Sequence, residues 1–337
     1  MTARLVAGAC RPPDAAYDVD IVILTLERAE ETLAAITSAS RQIGVLAHIF
    51  VLDQGSCPET LAGLAAAVRG RHDVTLLAAE RNLGVPGGRN LISDLGHGRV
   101  IVALDNDAEF AACDTVARMV VALDAEPRLG AIACRIVRDS DGTDDLSSWG
   151  YPAGLLTCAG ESFDTVTYVG AGHAILREAW RQAGGYDATL FFCWEEFDFC
   201  LRAIALGWQI RYRGDIVIRH KVSAQQRVGW TDTRWFYFVR NRIYIERKLD
   251  RGWCALAPRL LGYGLKGWLN ARPMQTLRAI SAGLAMAPRS RRTMPQAGLS
   301  YMSRNDRLHR GSLWQRLTRE VLSRIGGPPG VASRAKR

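Results

Sequence analysis

The sequence lacks several features that mark common classes of protein. Its eight cysteines are scattered, and none forms a C-x-x-C pair, so the paired thiols of a zinc ribbon are missing. No stretch of about 18 apolar residues occurs, which predicts that no segment spans a membrane. Residues 1–17 have no basic start followed by an apolar core. We therefore expect that the chain has no secretory signal peptide. The thiols are then expected to be reduced and the protein to lie in the cytoplasm.

Acidic residues are scarce in the C-terminal third of the chain. Residues 221–337 carry 24 Lys and Arg but only 5 Asp and Glu, whereas residues 1–220 carry 19 and 29. This asymmetry predicts two regions with different partners. The acidic part suits divalent cations, and the basic part suits lipid headgroups, a phosphate-bearing acceptor or nucleic acid.

Strands and helices alternate along the first two thirds of the chain. The predicted strands are 20–26, 47–52, 74–78, 99–104, 131–137, 166–176, 209–212 and 216–219, and the predicted helices are 30–40, 58–69, 87–95, 115–124, 177–183, 195–206 and 232–248. The alternation predicts an α/β fold with a mostly parallel, doubly wound sheet. The stretch 139–162 reads as a long loop.

The remaining segments define the expected domain boundaries. Residues 1–17 look like an unstructured lead-in, residues 18–248 form the α/β domain, and residues 249–325 form a basic, mainly helical region. Residues 326–337 look like a flexible tail. Within the basic region, the Leu-rich stretch 253–288 is interrupted by arginine and lysine, so we interpret it as helices that lie on a surface or pack together.

Polar residues follow three of the predicted strands. They are Thr25 to Arg28, Asp53 to Ser56, and Asp105 to Asp107. In doubly wound sheets, ligands bind beyond the carboxyl ends of the strands. The three clusters therefore predict a binding site at that edge.

The triplet Asp105-Asn106-Asp107 is the candidate metal site. Two carboxylates that flank one residue after a strand can both reach a hard cation such as Mn²⁺ or Mg²⁺. Such a cation can bridge the phosphates of a nucleotide sugar and stabilise the departing diphosphate. The alternative is a turn with solvated acids.

The segment from Asn82 to Asn90 combines glycines, including Gly84, with Arg89 at the start of a helix. Backbone N–H groups at a helix N-terminus favour an anion, so this loop could hold the diphosphate. The alternative is a glycine-rich loop that caps a helix.

The segment Trp194 to Asp198 places three carboxylates in the first turn of a helix. A general base needs a carboxylate aimed at an acceptor hydroxyl, and only one of the adjacent Glu195 and Glu196 can easily do this. Trp194 could lie under a sugar ring, and Asp198 can pair with Arg202 along the helix. The alternative is that the acids serve only the helix dipole.

His220 follows the last predicted strand. A single histidine of this kind is more often structural than a ligand, and it becomes a candidate third metal ligand only together with Asp105 and Asp107.

Nine short motifs occur in a fixed order along the chain: TLER, LDQGS, NLGVPGGRN, LDNDAEF, VGAGHAIL, GGYD, WEEFDFCLRAIALGW, RHK and FVRNR. This ordered set resembles glycosyltransferase family 2, including its rhamnosyltransferase-like and galactofuranosyltransferase-like members. The resemblance covers about residues 18–248. It implies a GT-A fold and an inverting mechanism.

The resemblance also implies roles for individual residues. It implies that Thr25, Glu27, Arg28 and Asp53 lie around the nucleotide base and ribose. It implies that Asp105 and Asp107, with Asn106 between them, hold the metal and diphosphate. His220 matches a histidine that completes the metal site in some members of the family. The position of the family's base matches Glu196, but the family usually has Asp there, so the choice between Glu195 and Glu196 stays open.

The resulting hypothesis is a metal-dependent transfer of a sugar from a UDP- or dTDP-sugar to a hydroxyl acceptor. Gly170 and Gly172 would let the backbone approach the acceptor closely, beside Trp194 and Asp198. The acceptor could be lipid-linked, with peripheral contact between the basic region and an anionic membrane. The sugar, the nucleotide, the acceptor and the oligomeric state do not follow from the sequence.

The sequence offers two alternatives to sugar transfer, a nucleotidyltransferase and a nucleic-acid-binding protein. A nucleotidyltransferase on a similar sheet would carry a Gly-rich basic loop after the first strand, where this chain has TLERAEETL. A nucleic-acid-binding protein could stack bases on the tryptophans of the basic region. No nucleic-acid motif appears, so we expect no nucleic-acid partner.

Overall fold

The computed structural model describes residues 3–221, 231–249, 252–287, 293–309 and 311–325. The strands are β1 Ala3–Gly8, β2 Val19–Thr25, β3 Ala47–Asp53, β4 Val74–Ala79, β5 Val100–Asp105, β6 Ala108–Phe110, β7 Leu129–Arg138, β8 Ser162–Thr165, β9 Gly172–Leu176 and β10 Gln209–His220. The helices are α1 Ala29–Ser40, α2 Pro58–Val68, α3 Gly84–Ser93, α4 Thr115–Asp124, α5 Arg177–Ala183, α6 Glu195–Ala205, α7 Asp232–Lys248, α8 Trp253–Leu269, α9 Pro273–Ala285, α10 Gln296–His309 and α11 Leu313–Arg316. The expected tail, residues 326–337, lies outside the described residues.

One mixed sheet of ten strands organises the chain. Its order is β1-β4-β3-β2-β5-β9-β7-β10-β6, and β8 pairs with β10. Strands β4, β3, β2 and β5 run parallel, whereas β9 lies antiparallel between β5 and β7. The central strands are apolar along their whole length because helices cover both faces of the sheet. The α/β prediction is confirmed.

The N-terminal segment is not the unstructured lead-in that the sequence suggested. Residues Ala3–Gly8 form β1, which pairs antiparallel with β4 at the edge of the sheet. The strand is only half buried, and its short run ARLVAG has little of the alternation that reveals a strand. Its pairing partner, more than 60 residues away in sequence, decides its conformation.

Three further differences concern the second half of the sheet. The expected strands 209–212 and 216–219 are one strand, β10, whose register shifts between Arg213 and Val217. The expected strand 166–176 begins only at Gly172. Strands β6 and β8 were missed; β8 lies at the end of the stretch expected to be a loop. All three depend on pairing with β10 or β5, which local sequence does not encode.

The C-terminal helices pack on the α/β domain. Trp235, Val239 and Ile243 of α7 form a small core with Leu256 of α8 and Ala279 of α9. The helix α10 lies against the main sheet, where the Tyr301 hydroxyl is within hydrogen-bond distance of the Thr165 and Ile210 carbonyl oxygens. Among the described residues, no helix is both long enough and apolar enough to cross a membrane.

Candidate active site

The ends of three neighbouring parallel strands meet at one edge of the sheet. Thr25 of β2 lies in register with Asp53 of β3, and Leu24 lies in register with Asp105 of β5. The three polar clusters recognised in the sequence therefore lie side by side, because parallel strands end at the same edge. The acids beyond β5 face the start of α6 across this edge.

Asp105 is held by a buried arginine. Arg89, on α3, is 3% exposed, and its Nη2 donates to Asp105 Oδ1 at 2.6 Å and to the Gly170 carbonyl oxygen at 3.0 Å. Within the described part of the chain, Nε and Nη1 of Arg89 are buried without a hydrogen-bond partner. Burial raises the pKa of Asp105, while the Arg89 charge lowers it. Arg89 therefore fixes the position of Asp105 and has donors to spare.

Asp107 lies between Arg28 and His220. Arg28 Nη1 is 2.5 Å from Asp107 Oδ2, and His220 Nε2 is 3.4 Å from Asp107 Oδ1. Burial raises the pKa of Asp107, but the hydrogen bond with His220 and the Arg28 charge lower it below its usual value. Asp107 is thus ionised and screened on both sides.

A second carboxylate holds the other face of the His220 ring. The Nδ1 atom of His220 is 2.9 Å from Asp145 Oδ2, and Asp145 also accepts hydrogen bonds from the Ser147 and Ser148 hydroxyls. Burial lowers the pKa of His220, yet the hydrogen bonds with Asp107 and Asp145 raise it to about 10. The sequence did not predict a role for Asp145, because this residue lies among several aspartates in a long polar segment.

The three expected metal ligands are only partly assembled. Asp107 and His220 meet, but Asp105 turns to Arg89. Across the residues that the structure describes, no group of three His, Cys, Asp or Glu side chains is close enough to hold a metal ion. The chemistry of the set nevertheless fits a cation such as Mn²⁺: carboxylate oxygens and an imidazole whose Nδ1 is bound to a second carboxylate are the usual arrangement.

Glu195 and Glu196 have different surroundings. Glu195 is 3% exposed, and its Oε2 has no hydrogen-bond partner among the described residues. Glu196 is partly exposed and lies over Gly170, where a Cβ atom would be 2.7 Å from Glu196 Oε1. Gly170 is therefore needed for space, and of the two glutamates only Glu196 faces the open side of the site.

Burial raises the pKa values of both glutamates. The pKa of Glu196 rises to about 7 through burial and the Asp105 charge, against the effects of its own backbone N–H and Arg89. Burial and the Glu196 charge raise the pKa of Glu195 well above its usual range. A carboxylate with a pKa near neutrality is suited to take a proton.

The loop before α6 is strained, and α7 holds it. Phe191, Cys193 and Trp194 all have positive φ angles near 60–70°, which residues other than glycine rarely adopt. The Nδ2 atom of Asn241 donates to the carbonyl oxygens of Leu190, Phe192 and Cys193 at 2.8–2.9 Å. The sequence analysis assigned no role to the residues of the motif FVRNR. The structure shows that its asparagine, Asn241, positions the start of α6.

Two of the residues expected around the nucleotide, Glu27 and Asp53, accept hydrogen bonds from backbone N–H groups. Glu27 accepts from the Cys57 N–H at 2.7 Å and from the Thr60 hydroxyl, so it fixes the first turn of α2, and these bonds lower its pKa. Asp53 accepts from the Gly55 and Ser56 N–H groups. These bonds fix the two carboxylates at the edge of the site.

Thr25 and Asn106 form a small hydrogen-bond network next to the expected metal ligands. The Thr25 hydroxyl lies 2.8 Å from that of Thr32 and donates to the Glu27 carbonyl oxygen, and Asn106 Nδ2 reaches both hydroxyls at 3.3–3.4 Å. This network fixes the turn that carries Asp105 and Asp107.

The glycine-rich loop packs against the loop before α6. Gly84 has a φ of +72°, and a Cβ atom there would lie 2.2 Å from the Phe191 carbonyl oxygen. Asn82 Oδ1 accepts from the Gly84 N–H at 2.8 Å. The capping alternative therefore describes Asn82 and Gly84, while Arg89 from the same segment enters the site.

The structure gives three of the expected acceptor-binding residues other roles. Gly172 is buried in β9 against Ile218, and Asp198 is 2% exposed and pairs with Arg202 and Lys248. Trp194 donates its indole N–H to the Phe238 carbonyl oxygen. An acceptor-binding role for Gly172 and Asp198 stays a prediction, and the expected Asp198–Arg202 pair is confirmed.

Comparison with known proteins identifies the domain. The profile described as "Glycosyl transferase family 2" matches residues 20–183, which include Asp105, Asp107 and Arg89. Over residues 20–183, the sequence matches glycosyltransferase family 2. This family 2 segment contains the strand ends described above but stops before Glu196 and His220.

A curated relative also matches part of the chain. The chain is 36% identical over 116 residues to the succinoglycan biosynthesis protein ExoO of Rhizobium meliloti (strain 1021). That match covers 34% of this chain and about a third, 32%, of the relative's length.

The solved structures share the fold at low identity. They are a mannosyltransferase of Pyrobaculum calidifontis in complex with GDP-Man and Mn²⁺ (TM-score 0.52, 16% identity, 89% of this chain and 82% of that one), GalNAc-T7 with UDP, GalNAc and Mn²⁺ (0.56, 16%, 92% and 57%), and S. aureus TarS 1-349 with UDP-GlcNAc (0.54, 11%, 79% and 79%). The expected GT-A fold is confirmed.

Proposed function

We propose that this protein transfers a sugar from a nucleoside-diphosphate sugar to a hydroxyl group, with inversion at the anomeric carbon. The observation that carries the proposal is the position of Glu196. Its partly exposed carboxylate, with a pKa near 7, lies over Gly170 on the same side of the sheet edge as Asp105 and Arg89. A base and an anion-binding group thus face one space.

The proposed reaction is a single in-line displacement. Glu196 takes the proton of the acceptor hydroxyl while that oxygen bonds to the anomeric carbon. The bond from the anomeric carbon to the diphosphate oxygen breaks, and its electron pair leaves with the nucleoside diphosphate. The guanidinium of Arg89, whose Nε and Nη1 have no hydrogen-bond partner among the described residues, is suited to receive that developing negative charge.

The cofactor in this proposal is Mn²⁺ or Mg²⁺. Asp105, Asp107 and His220 would hold the cation, which would neutralise charge on the diphosphate. Two of the structurally similar proteins contain Mn²⁺ with a nucleotide or nucleotide sugar, which supports this choice.

The donor and acceptor are proposed as classes. A UDP- or dTDP-sugar remains our first choice of donor, although the similar structures contain both guanosine and uridine nucleotides. The name of the curated relative supports an acceptor in polysaccharide biosynthesis, with a glycolipid or small glycoside as further possibilities. The protein would act in the cytoplasm, peripherally at the membrane where the acceptor is lipid-linked.

The test combines a donor screen with two matched variants. Hydrolysis and thermal stabilisation are measured with UDP-, dTDP- and GDP-sugars, with and without Mn²⁺, and a metal-dependent response to one donor is expected. With that donor, Glu196→Gln should lower turnover by about 10²–10⁴-fold while donor binding persists.

The variant Glu195→Gln distinguishes the two glutamates, since it should retain more activity than Glu196→Gln. The reverse order would move the base to Glu195. Full activity of Glu196→Gln would refute the base assignment, and the absence of any donor response would refute the transferase proposal.

A further inference from the structure

Helix α8 carries an apolar stripe on its solvent-facing side. Trp253, Ala257, Leu261, Leu265 and Trp268 recur every three or four residues, so they share one face of the helix. All five are exposed, with Leu261 at 74% and Trp268 at 66%. A helix face of this composition is normally buried.

The apolar surface continues onto α9. A short turn joins the two helices, which touch where Gly267 meets Thr276; a Cβ atom on Gly267 would lie 2.0 Å from the Thr276 hydroxyl. Met274 and Leu277 of α9 are 61% and 58% exposed beside this crossing. We call these seven exposed residues of the two helices the α8–α9 surface.

The core of the protein does not need this surface. The opposite sides of the helices already pack on α7, where Leu256 and Ala279 cover Trp235, Val239 and Ile243. The exposed tryptophans and leucines are therefore additional to the folded core, and an apolar area of this kind indicates a binding surface.

The basic composition of the region that carries this surface indicates what the surface binds. Residues 249–325 contain 14 Lys and Arg against 3 Asp and Glu, and Arg278, next to Leu277, is exposed. None of the seven surface residues is charged. Trp and Leu on one face of a helix, in a region of strongly basic composition, are features of a helix that lies in the interface of an anionic membrane.

We propose that the α8–α9 surface docks this protein on anionic lipid, with α8 lying in the plane of the membrane. A second copy of the chain is a poorer occupant because the two basic C-terminal regions that carry the surfaces would repel each other. The proposal is independent of sugar transfer, since docking needs neither donor nor acceptor.

The test is co-sedimentation of the full chain with vesicles. One set contains phosphatidylcholine alone, and in the other phosphatidylglycerol replaces part of it. We expect binding to the anionic vesicles only. The double variant Leu261→Gln/Trp268→Gln should bind at least about tenfold more weakly, because two side chains no longer enter the interface.

Val121→Gln is the matched control. Val121 is 67% exposed on α4, remote in sequence from the surface, so this variant should bind vesicles like the unchanged protein. Both variants should keep the unfolding temperature and the donor response of the unchanged protein, which separates this test from that of the transferase.

Three results would overturn the proposal. They are no binding to anionic vesicles, equal binding by the double variant, and a dimer in solution that the double variant dissociates. The last result would assign the surface to a second copy.

Discussion

At the scale of single residues, the active site depends on carboxylates whose charges are set by close neighbours. Asp105 and Asp107 follow the same strand but have different partners, Arg89 and Arg28. Glu195 and Glu196 are adjacent, yet only Glu196 is partly exposed. Burial and the nearest charge thus give chemically identical groups different tasks.

The pKa of Glu196 predicts the pH dependence of the reaction. Below about pH 7 the carboxyl group is protonated and cannot accept the hydroxyl proton, so kcat/KM should rise about tenfold per pH unit until it levels off above that value. The measurement is kcat/KM between about pH 5.5 and pH 8.5. The residual activity of Glu196→Gln should lack this rise, and the same rise in that variant would contradict the assignment.

Asp145 is predicted to position His220 for the cation. Asp145→Asn replaces the carboxylate that holds Nδ1 of the imidazole, so Mn²⁺ should bind about 10–100-fold more weakly. Calorimetric titration of Mn²⁺ into the protein measures this. Asp144→Asn is the control, because Asp144 pairs with Arg135 instead. Equal Mn²⁺ affinity in both variants would show that Asp145 has no such role.

At the scale of secondary-structure elements, α7 connects the two regions of the chain. One side of α7 holds the strained loop before α6 through Asn241, and the other packs on α8 and α9. Lys248, near its end, forms buried ion pairs with Asp187 and Asp198. The position of the proposed base therefore depends on Asn241, which lies more than 40 residues away in sequence.

Asn241→Asp is predicted to impair catalysis through the loop. It removes the N–H donors that hold three carbonyl oxygens, so Glu196 should lose its position and turnover should fall about a hundredfold. Steady-state kinetics with the donor found above measures this.

The control for Asn241 is Asn270→Asp. It removes the hydrogen bond that the Asn270 side-chain amide donates to the Lys266 carbonyl oxygen, away from the site. That variant should keep its turnover. If both variants retained full turnover, the loop would not need Asn241.

At the scale of the whole molecule, the basic C-terminal region is part of the folded structure. Tyr301 and Met294 are buried against the main sheet, and the α7–α9 core shields Trp235 from solvent. The boundary expected at residue 248 marks a change in composition and charge. It does not mark a break in packing.

A chain that ends at residue 248 is predicted to be much less stable than the full chain. It would expose Trp235, Val239 and Ile243, which are at most 1% exposed in the full structure. Urea unfolding followed by tryptophan fluorescence should show a clearly lower midpoint, or no cooperative transition. A chain lacking only residues 326–337 serves as control and should unfold like the full chain. An unchanged midpoint at residue 248 would mean that the two regions fold independently.

The sequence by itself determined the α/β class, most helices and the polar strand ends. Alternation of apolar strands with amphipathic helices, and side chains placed by local spacing, are properties of neighbouring residues. Helix α4 and helix α7 lie where their patterns predict them, and the ordered motifs indicated the family.

Only the tertiary structure decided the partners of those residues. The pairing of β1 with β4, the single strand β10, the Asp145–His220 contact and the Asn241 bonds all join segments far apart in sequence. The burial of Gly172 and Asp198 depends in the same way on what packs over them. Long-range pairing and burial arise when the whole chain folds, so local patterns carry no signal for them.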